Sequence, residues 1–158
     1  MSGMEIERKF LVKKAGAPWR ALASSRSRIK QGYMDCNGAT VRVRLRDEKA
    51  YLTIKGPSKD GIGRYEFEKE ITKEEALNLL MLCRGGMIDK TRYLVEMHDG
   101  HVFEVDEFHG DNDGLIVAEV ELASADEPFE KPDFIDTEVT GDRKYYNSHL
   151  LRNPFSAW

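Results

Sequence analysis

The chain has 158 residues, of which 41% are hydrophobic and 33% are charged, and its 24 Lys and Arg against 28 Asp and Glu leave a formal net charge of −4. The absence of a positive excess argues against a basic nucleic-acid-binding protein, and no apolar run approaches the roughly 20 residues of a membrane helix. No signal peptide precedes the first charged segment, and two cysteines do not make a disulfide framework. We therefore expect a cytoplasmic protein with one domain over residues 1–158. Its charged fraction exceeds the roughly 25% of an average globular protein.

Alternation of apolar and polar residues with a period of two predicts strands along most of the chain. The eight predicted strands span residues 4–12, 29–34, 39–46, 50–55, 64–71, 87–96, 101–108 and 115–123. Turn-forming pairs such as Asn37-Gly38 and Asp99-Gly100 separate them. Most of these connections are short, which favours antiparallel pairing between neighbouring strands.

Helical signals are few. Thr72 and Glu75 have the spacing of a capping box, and an apolar stripe follows them as far as Cys83, before Gly85-Gly86. We predict a helix over residues 72–83 and short turns over 18–24 and 142–151. The pattern as a whole predicts a mainly β (α+β) fold, an eight-stranded antiparallel barrel with a few covering helices, since closing the barrel removes every exposed edge.

The charged residues of these strands fall on one face, because side chains two positions apart point the same way. The acidic members are Glu5, Glu7, Glu66, Glu68, Glu70, Glu104, Asp106, Glu119 and Glu121. The basic members are Lys9, Arg42, Arg44, Arg46, Lys55, Lys90 and Arg92. A charged sheet face usually meets water. Here, however, single strands carry charges of one sign, and such charges repel by about 4 kcal/mol at ~4 Å and an effective dielectric near 20. We therefore expect the charged face to point into the barrel, where a bound anion and a cation balance it.

The residue types on this face suit phosphate chemistry. Three carboxylate pairs with two-residue spacing are Glu5/Glu7, Glu104/Asp106 and Glu119/Glu121. Mg²⁺ usually takes one or two carboxylates together with waters and substrate phosphates, while Arg and Lys bind phosphate oxygens. Seven cations on one face indicate a polyanion rather than a single phosphate. The pattern predicts phosphoryl transfer, with a metal-bound or carboxylate-activated water as the nucleophile.

Other catalytic arrangements have weaker support in the sequence. His98 and His101 are separated by a turn and offer too few ligands for zinc. Cys36 has no base near it in sequence, and Cys83 belongs to an apolar helix stripe, so neither is predicted to be a nucleophile.

Several motifs, in their order along nearly the whole chain, resemble the CYTH superfamily, also called triphosphate tunnel metalloenzymes. The Glu5-x-Glu7-x-Lys9 motif is similar to the signature of that family. The further matching segments are residues 41–45, 52–56, 64–68, 90–93, 105–108, 114–115, 118–122, 139–142 and 145–147.

The resemblance implies an eight-stranded antiparallel tunnel that binds triphosphate compounds with Mg²⁺ or Mn²⁺. Carried over by position, the implied metal ligands are Glu5, Glu7 and Glu121, supported by Glu119. The implied phosphate ligands are Lys9, Arg42, Arg44, Lys55, Lys90, Arg92 and Lys144. The catalytic set comprises Glu5, Glu7, Lys9, Arg42, Arg44, Lys55, Asp106, Glu119 and Glu121. Further tunnel carboxylates are Glu66, Glu68, Glu104 and Asp106, of which Glu66 and Asp106 are candidates for a second metal or a water. Arg46 and Glu70 match no role in the family.

The activity expected from the resemblance is metal-dependent hydrolysis of a triphosphate compound, with inorganic tripolyphosphate as the first candidate. Thiamine triphosphatase and class IV-type adenylyl cyclase activities remain as alternatives, although no base-reading residue is identifiable for a cyclase. A non-catalytic module that binds polyphosphate or nucleotides is a third alternative, and the many carboxylates argue against it. The expected partner is a triphosphate-containing small molecule, with neither membrane nor nucleic acid, and the family allows a homodimer.

Overall fold

The structure is a computed structural model, and it describes residues 4–34, 38–58, 63–83 and 85–158. Its strands are β1 (Met4–Val12), β2 (Ser25–Met34), β3 (Thr40–Arg46), β4 (Lys49–Lys55), β5 (Gly63–Ile71), β6 (Ile88–Glu96), β7 (Val102–Phe108), β8 (Ile116–Glu121) and β9 (Ile135–Glu138). Its helices are α1 (Pro18–Leu22), α2 (Lys73–Leu80) and α3 (Asn147–Leu150), and short 3₁₀ turns occur at Gly110–Asn112, Arg143–Tyr145 and Phe155–Ala157.

Eight antiparallel strands close into a barrel, which confirms the predicted fold class. The order around the barrel is β5-β4-β3-β2-β6-β7-β8-β1, and pairing between β1 and β5 closes it. The first residues of β1 pair with β5, and its last residues pair with the short strand β9. Strand β9 is absent from the sequence-based prediction, because its four residues are too few to show a period-two pattern.

The boundaries differ most from the predicted ones in β2 and α2. Strand β2 begins at Ser25 instead of residue 29, because its first four residues are all polar and carry no alternation, although they pair with β6. Helix α2 ends at Leu80, before the predicted residue 83. The predicted capping box is confirmed: the Thr72 hydroxyl accepts from the Glu75 amide at 3.0 Å, and the Glu75 carboxylate accepts from the Thr72 amide at 2.8 Å. Cys36 and Asn37 lie outside the described residues.

The apolar sides of the strands face outward and are covered by helices and loops. Helix α2 lies on β3 and β4, where Ala76 packs with Val43 and Ala50. The residues that follow α2 come so close to β2 that a Cβ at Gly32 would lie 2.9 Å from the Cys83 sulfur. On the other side of the barrel, Trp19 of α1 belongs to a larger cluster that also contains residues of β1, β6, β7 and β8. Because most apolar side chains of the strands lie outside, the charged faces line the interior, as predicted, while Phe108 and Val117 share the inner face with Lys90 and Asp106.

A third apolar cluster anchors the C-terminal segment to the barrel. Leu150 of α3 is 1% exposed and packs with Ile88, Phe108, Leu115 and Val117. This packing holds the preceding turn, residues 141–149, against the tunnel wall. No helix in the described part of the chain has the length and hydropathy required to cross a membrane.

Candidate active site

The barrel encloses a cavity of about 700 Å³ whose lining is dominated by charged side chains. The predicted site residues that line it are Glu5, Glu7, Lys9, Arg42, Arg44, Lys55, Glu66, Glu68, Lys90, Arg92, Glu104, Glu119 and Glu121. Arg46, for which the sequence suggested no role, also lines it. These residues come from β1 and from β3 to β8, so that the alternation seen in each strand places them in one shared space.

Three predicted residues do not line the cavity. Asp106 lies behind the lining and is 2% exposed, and its carboxylate accepts from Arg92 at 2.8 and 2.9 Å. Lys144 is exposed, and its amino group lies 4.0 Å from the centre of the Trp158 ring instead of facing the tunnel. Arg143, the preceding residue of the same 3₁₀ turn, lines the cavity, because successive side chains of a turn point in different directions. Glu70, at the end of the acidic ladder on β5, is exposed.

At one part of the tunnel, carboxylates and cations alternate closely. The Lys55 amino group donates to Glu5 at 2.6 Å and lies 3.6 Å from Glu66. The Arg64 guanidinium lies 3.8 Å from the same Glu5 carboxylate. Burial and the charge of Glu5 raise the pKa of Glu66. The cluster therefore contains two carboxylates and two cations, whose formal charges balance.

Glu7 and Glu119 form a second carboxylate cluster, on neighbouring strands. Burial, followed by the charge and the hydrogen bond of Glu119, raises the pKa of Glu7 well above its usual range. Burial also acts to raise the pKa of Glu119, but Lys9 at 3.6 Å and the hydrogen bond from Glu7 outweigh it and hold that pKa well below its usual range. The two neighbouring carboxylates therefore oppose each other's ionisation in the absence of a cation.

The donor set suits a hard divalent cation. Glu121 lies opposite Glu7 across the β1–β8 pairing, and burial together with the charges of Glu5 and Glu104 raises the pKa of Glu121. Crowded carboxylates with raised pKa values are the groups that a divalent cation would stabilise in their charged form. Within residues 4–34, 38–58, 63–83 and 85–158, no three His, Cys, Asp or Glu side chains form a ready-made cage. A cation held by these carboxylates would therefore complete its coordination with waters and substrate phosphates, as Mg²⁺ usually does.

Another part of the tunnel holds an excess of positive charge. Burial and the charges of Arg42 and Arg92 lower the pKa of Arg44 to about 9. Burial, together with the charges of Arg92 and Arg44, lowers the pKa of Lys90 to about 7, although Asp106, at 2.8 Å, acts in the other direction. An anion placed among these groups would restore their usual pKa values, so the arrangement favours a ligand with several negative charges.

The sequence-based prediction missed several residues of the tunnel wall. Gln31 and Tyr33 of β2 line the cavity, and their alternate positions in a predicted strand would have been sufficient to find them. Tyr146 and Asn147 also line it. The backbone oxygen of Tyr145 accepts from the Lys9 amino group at 3.4 Å. No periodic pattern indicates these C-terminal residues, because only the packing of α3 brings them to the barrel.

Comparisons with known proteins agree with this geometry. A family model described as the CYTH domain matches residues 3–148. An inorganic triphosphatase of Acetivibrio thermocellus is 45% identical over 155 residues, which cover 97% of this chain and 96% of that protein. An inorganic triphosphatase of Nitrosomonas europaea is 35% identical over 150 residues, which cover 92% of this chain and 95% of that protein.

Solved structures share the fold. The crystal structure of an inorganic triphosphatase superposes with a TM-score of 0.64 at 31% identity, covering 93% of each chain. A Hippeastrum protein, whose description names adenylyl cyclase and a dominant triphosphatase activity, superposes with a TM-score of 0.63 at 15% identity, covering 76% of this chain and 80% of that one. At that identity the second likeness concerns the fold alone.

Proposed function

Because the chain belongs to the CYTH domain family, we propose that it is a metal-dependent triphosphatase that hydrolyses inorganic tripolyphosphate. The observation that carries the proposal is the tunnel itself, in which buried cations and buried carboxylates face one cavity of about 700 Å³. The two inorganic triphosphatases that match more than nine-tenths of the chain favour the same substrate. We further propose that the protein acts in the cytoplasm on a free small molecule.

The cations of the tunnel bind and orient the triphosphate chain. The proposed phosphate ligands are Lys9, Arg42, Arg44, Lys55, Lys90 and Arg92. Charge-assisted hydrogen bonds from these groups hold the phosphate oxygens in a fixed geometry, and they lower the repulsion that an attacking water meets. Asp106 acts from behind the wall, since it holds both Arg92 and Lys90 in place.

The carboxylates complete the site. We propose Glu5, Glu7, Glu119 and Glu121 as the residues that hold Mg²⁺ or Mn²⁺. The bound ion supplies positive charge at the phosphate oxygens and at the nucleophile. Glu66 and Glu104 face the same cavity and orient water. In the reaction, the water oxygen forms a bond to a terminal phosphorus, the bridging P–O bond breaks, and orthophosphate and pyrophosphate leave with the proton of the water released.

The test is a substrate panel. Purified protein is incubated with tripolyphosphate, thiamine triphosphate or ATP, in Mg²⁺, in Mn²⁺ or in chelator, and phosphate and cyclic AMP are measured. We expect phosphate from tripolyphosphate only when a divalent cation is present. Phosphate release from none of the three compounds would exclude the proposal, and cyclic AMP from ATP would favour a cyclase instead.

A metal titration tests the proposed ligands. Glu7→Gln should raise the Mg²⁺ concentration for half-maximal activity by about tenfold or more, since even residues that only orient a metal ligand change affinity by about 10–100-fold. Glu70→Gln is the matched control, because Glu70 is an exposed glutamate outside the cavity lining. Identical titrations for wild type and Glu7→Gln would remove Glu7 from the proposed metal set.

A further inference from the structure

One buried cation of the tunnel differs from the others in what neutralises it. In the described parts of the chain, five cations are less than one-tenth exposed, namely Lys9, Arg44, Lys55, Lys90 and Arg92. Four of them have a carboxylate oxygen within 4.0 Å, on Glu119, Glu5 or Asp106. Among the residues that the structure describes, Arg44 has no such partner. A buried guanidinium without a counter-charge is unfavourable unless something else holds it.

A neutral amide holds Arg44. Gln31 lies directly opposite it in the β2–β3 pairing and is 1% exposed. The Arg44 Nε donates to the Gln31 Oε1 at 2.7 Å. Arginine can only donate, so the amide must present its oxygen to Arg44 and its NH₂ group to the other side.

The other side of the amide is also satisfied. The Gln31 Nε2 donates to the Tyr33 hydroxyl at 2.7 Å and to the Asn147 Oδ1 at 3.1 Å. The same Asn147 oxygen accepts from the Lys90 amino group at 2.8 Å. Two neutral amides thus hold two buried cations, and these bonds leave no freedom for the Gln31 amide to turn.

We propose that Gln31 is a positioning residue for polyphosphate binding, which fixes Arg44 against the tunnel wall through a neutral oxygen and so leaves its full charge available to the anion. The inference rests on the proposed function for the identity of the anion. A carboxylate in this place would hold the guanidinium equally well, but it would cancel the charge that attracts phosphate. Arg44 lines the cavity, and no carboxylate of the described residues lies within 4.0 Å of its guanidinium, so its remaining N–H groups can donate to phosphate oxygens.

A double-mutant cycle tests whether Gln31 acts through Arg44. Binding of tripolyphosphate is measured calorimetrically without divalent cation for wild type, Gln31→Met, Arg44→Ala and the double variant. We expect Gln31→Met to weaken binding about tenfold in the wild-type background and less than about twofold when Arg44 is already absent. Equal losses in both backgrounds, or no binding by the wild type, would overturn the inference. Lys30→Met is the control, because Lys30 is an exposed neighbour of Gln31 on β2. This variant should bind tripolyphosphate as the wild type does.

Gln31→Glu tests whether neutrality matters. The new side chain has the same length and can pair with Arg44, so the fold should be retained even if the methionine variant unfolds. We expect binding of tripolyphosphate to fall by more than about tenfold, because the carboxylate neutralises Arg44 and repels the anion. Binding within about twofold of wild type would overturn the inference.

Turnover separates positioning from a general structural defect. In Mg²⁺, Gln31→Met should raise the KM for tripolyphosphate while kcat changes by less than about threefold, since Gln31 does not touch the reacting atoms. A lowered kcat with unchanged KM would overturn the inference. If the wild type binds tripolyphosphate but does not hydrolyse it, the proposed function fails while the binding cycle still tests Gln31.

Discussion

Two arginine–aspartate pairs of nearly identical geometry lie on opposite sides of the barrel wall. Inside, Arg92 donates to both oxygens of Asp106 at 2.8 and 2.9 Å. Outside, Arg28 donates to both oxygens of Asp89 at 2.6 and 2.7 Å. The inner side chains are 7% and 3% exposed, whereas the outer ones are 54% and 32% exposed. The two pairs therefore differ in their surroundings and not in their hydrogen bonds.

The difference shows that burial, more than geometry, decides what such a pair does. Burial acts to raise the pKa of Asp106, yet the charges of Arg92 and Lys90 hold it at about 2. The hydrogen bond from Arg28 also lowers the pKa of Asp89, but this pair lies at the surface, where water screens both charges. The inner pair keeps the buried Arg92 charged beside the cavity, while an exposed pair contributes at most about 1 kcal/mol to stability.

Replacing the aspartate of each pair should give the largest difference between inside and outside, measured as the loss in the free energy of unfolding. Asp106→Asn removes the carboxylate that contacts both Arg92 and Lys90 and leaves Arg92 only Glu104, at 3.3 Å, as a partner. We expect this change to lower the free energy of unfolding by about 3–5 kcal/mol. Asp89→Asn, the matched change outside, should lower it by less than about 1 kcal/mol. Urea denaturation at neutral pH measures both. Losses of similar size would mean that burial does not distinguish the two pairs.

Removing one arginine from inside the barrel and one from outside should give a smaller difference, measured as the affinity for tripolyphosphate. Arg42 lies inside, where it donates to the Thr53 hydroxyl at 3.1 Å and lies 3.6 Å from Glu68. Arg42→Ala should weaken tripolyphosphate binding by about tenfold or more, the loss expected for a charge-assisted hydrogen bond of about 1.5 kcal/mol.

The outer arginine supplies the control for that measurement. Arg28→Ala removes the same charge from the chain, but the residue is 54% exposed and outside the cavity lining. Titration calorimetry should find the affinity of the Arg28→Ala variant for tripolyphosphate unchanged. Equal losses in the two variants would indicate that tripolyphosphate responds to the net charge of the protein and not to the tunnel.

The contrast between inside and outside was largely predictable from the sequence. Arg42 and Arg44 on β3, and Glu66 and Glu68 on β5, alternate with apolar residues, and strand geometry alone places them on one face. That this face turns inward followed from the like charges on single strands and from the apolar residues available to cover the outside. The closed barrel then followed from the number of strands and the short antiparallel connections.

The C-terminal part of the site was beyond such reasoning. Asn147 hydrogen bonds to Gln31 across 116 positions of sequence, and no periodic pattern carries information over that separation. The bond exists because Leu150 packs into an apolar cluster of the barrel. The choice between Arg143 and Lys144 depends in the same way on the direction of one 3₁₀ turn, which residue type does not reveal.

The smallest expected effect concerns a partly buried histidine outside the tunnel. At the end of the β6–β7 hairpin, the His101 Nδ1 lies 2.9 Å from Asp99, and its Nε2 contacts Glu127. These two carboxylates raise the pKa of His101 above its usual value of 6.5. Because the folded-state pKa is raised, the contribution to stability is fully present below about pH 6.5 and is lost as the pH rises through the folded-state value.

Urea denaturation between about pH 6 and about pH 8.5 should therefore show a steeper decline in the free energy of unfolding for wild type than for His101→Gln. His98→Gln, at a side chain that is 97% exposed, should leave the wild-type profile unchanged. Parallel profiles for wild type and His101→Gln would mean that the two carboxylates do not stabilise the charged imidazole, and that only the tunnel holds charges strongly enough to matter for stability.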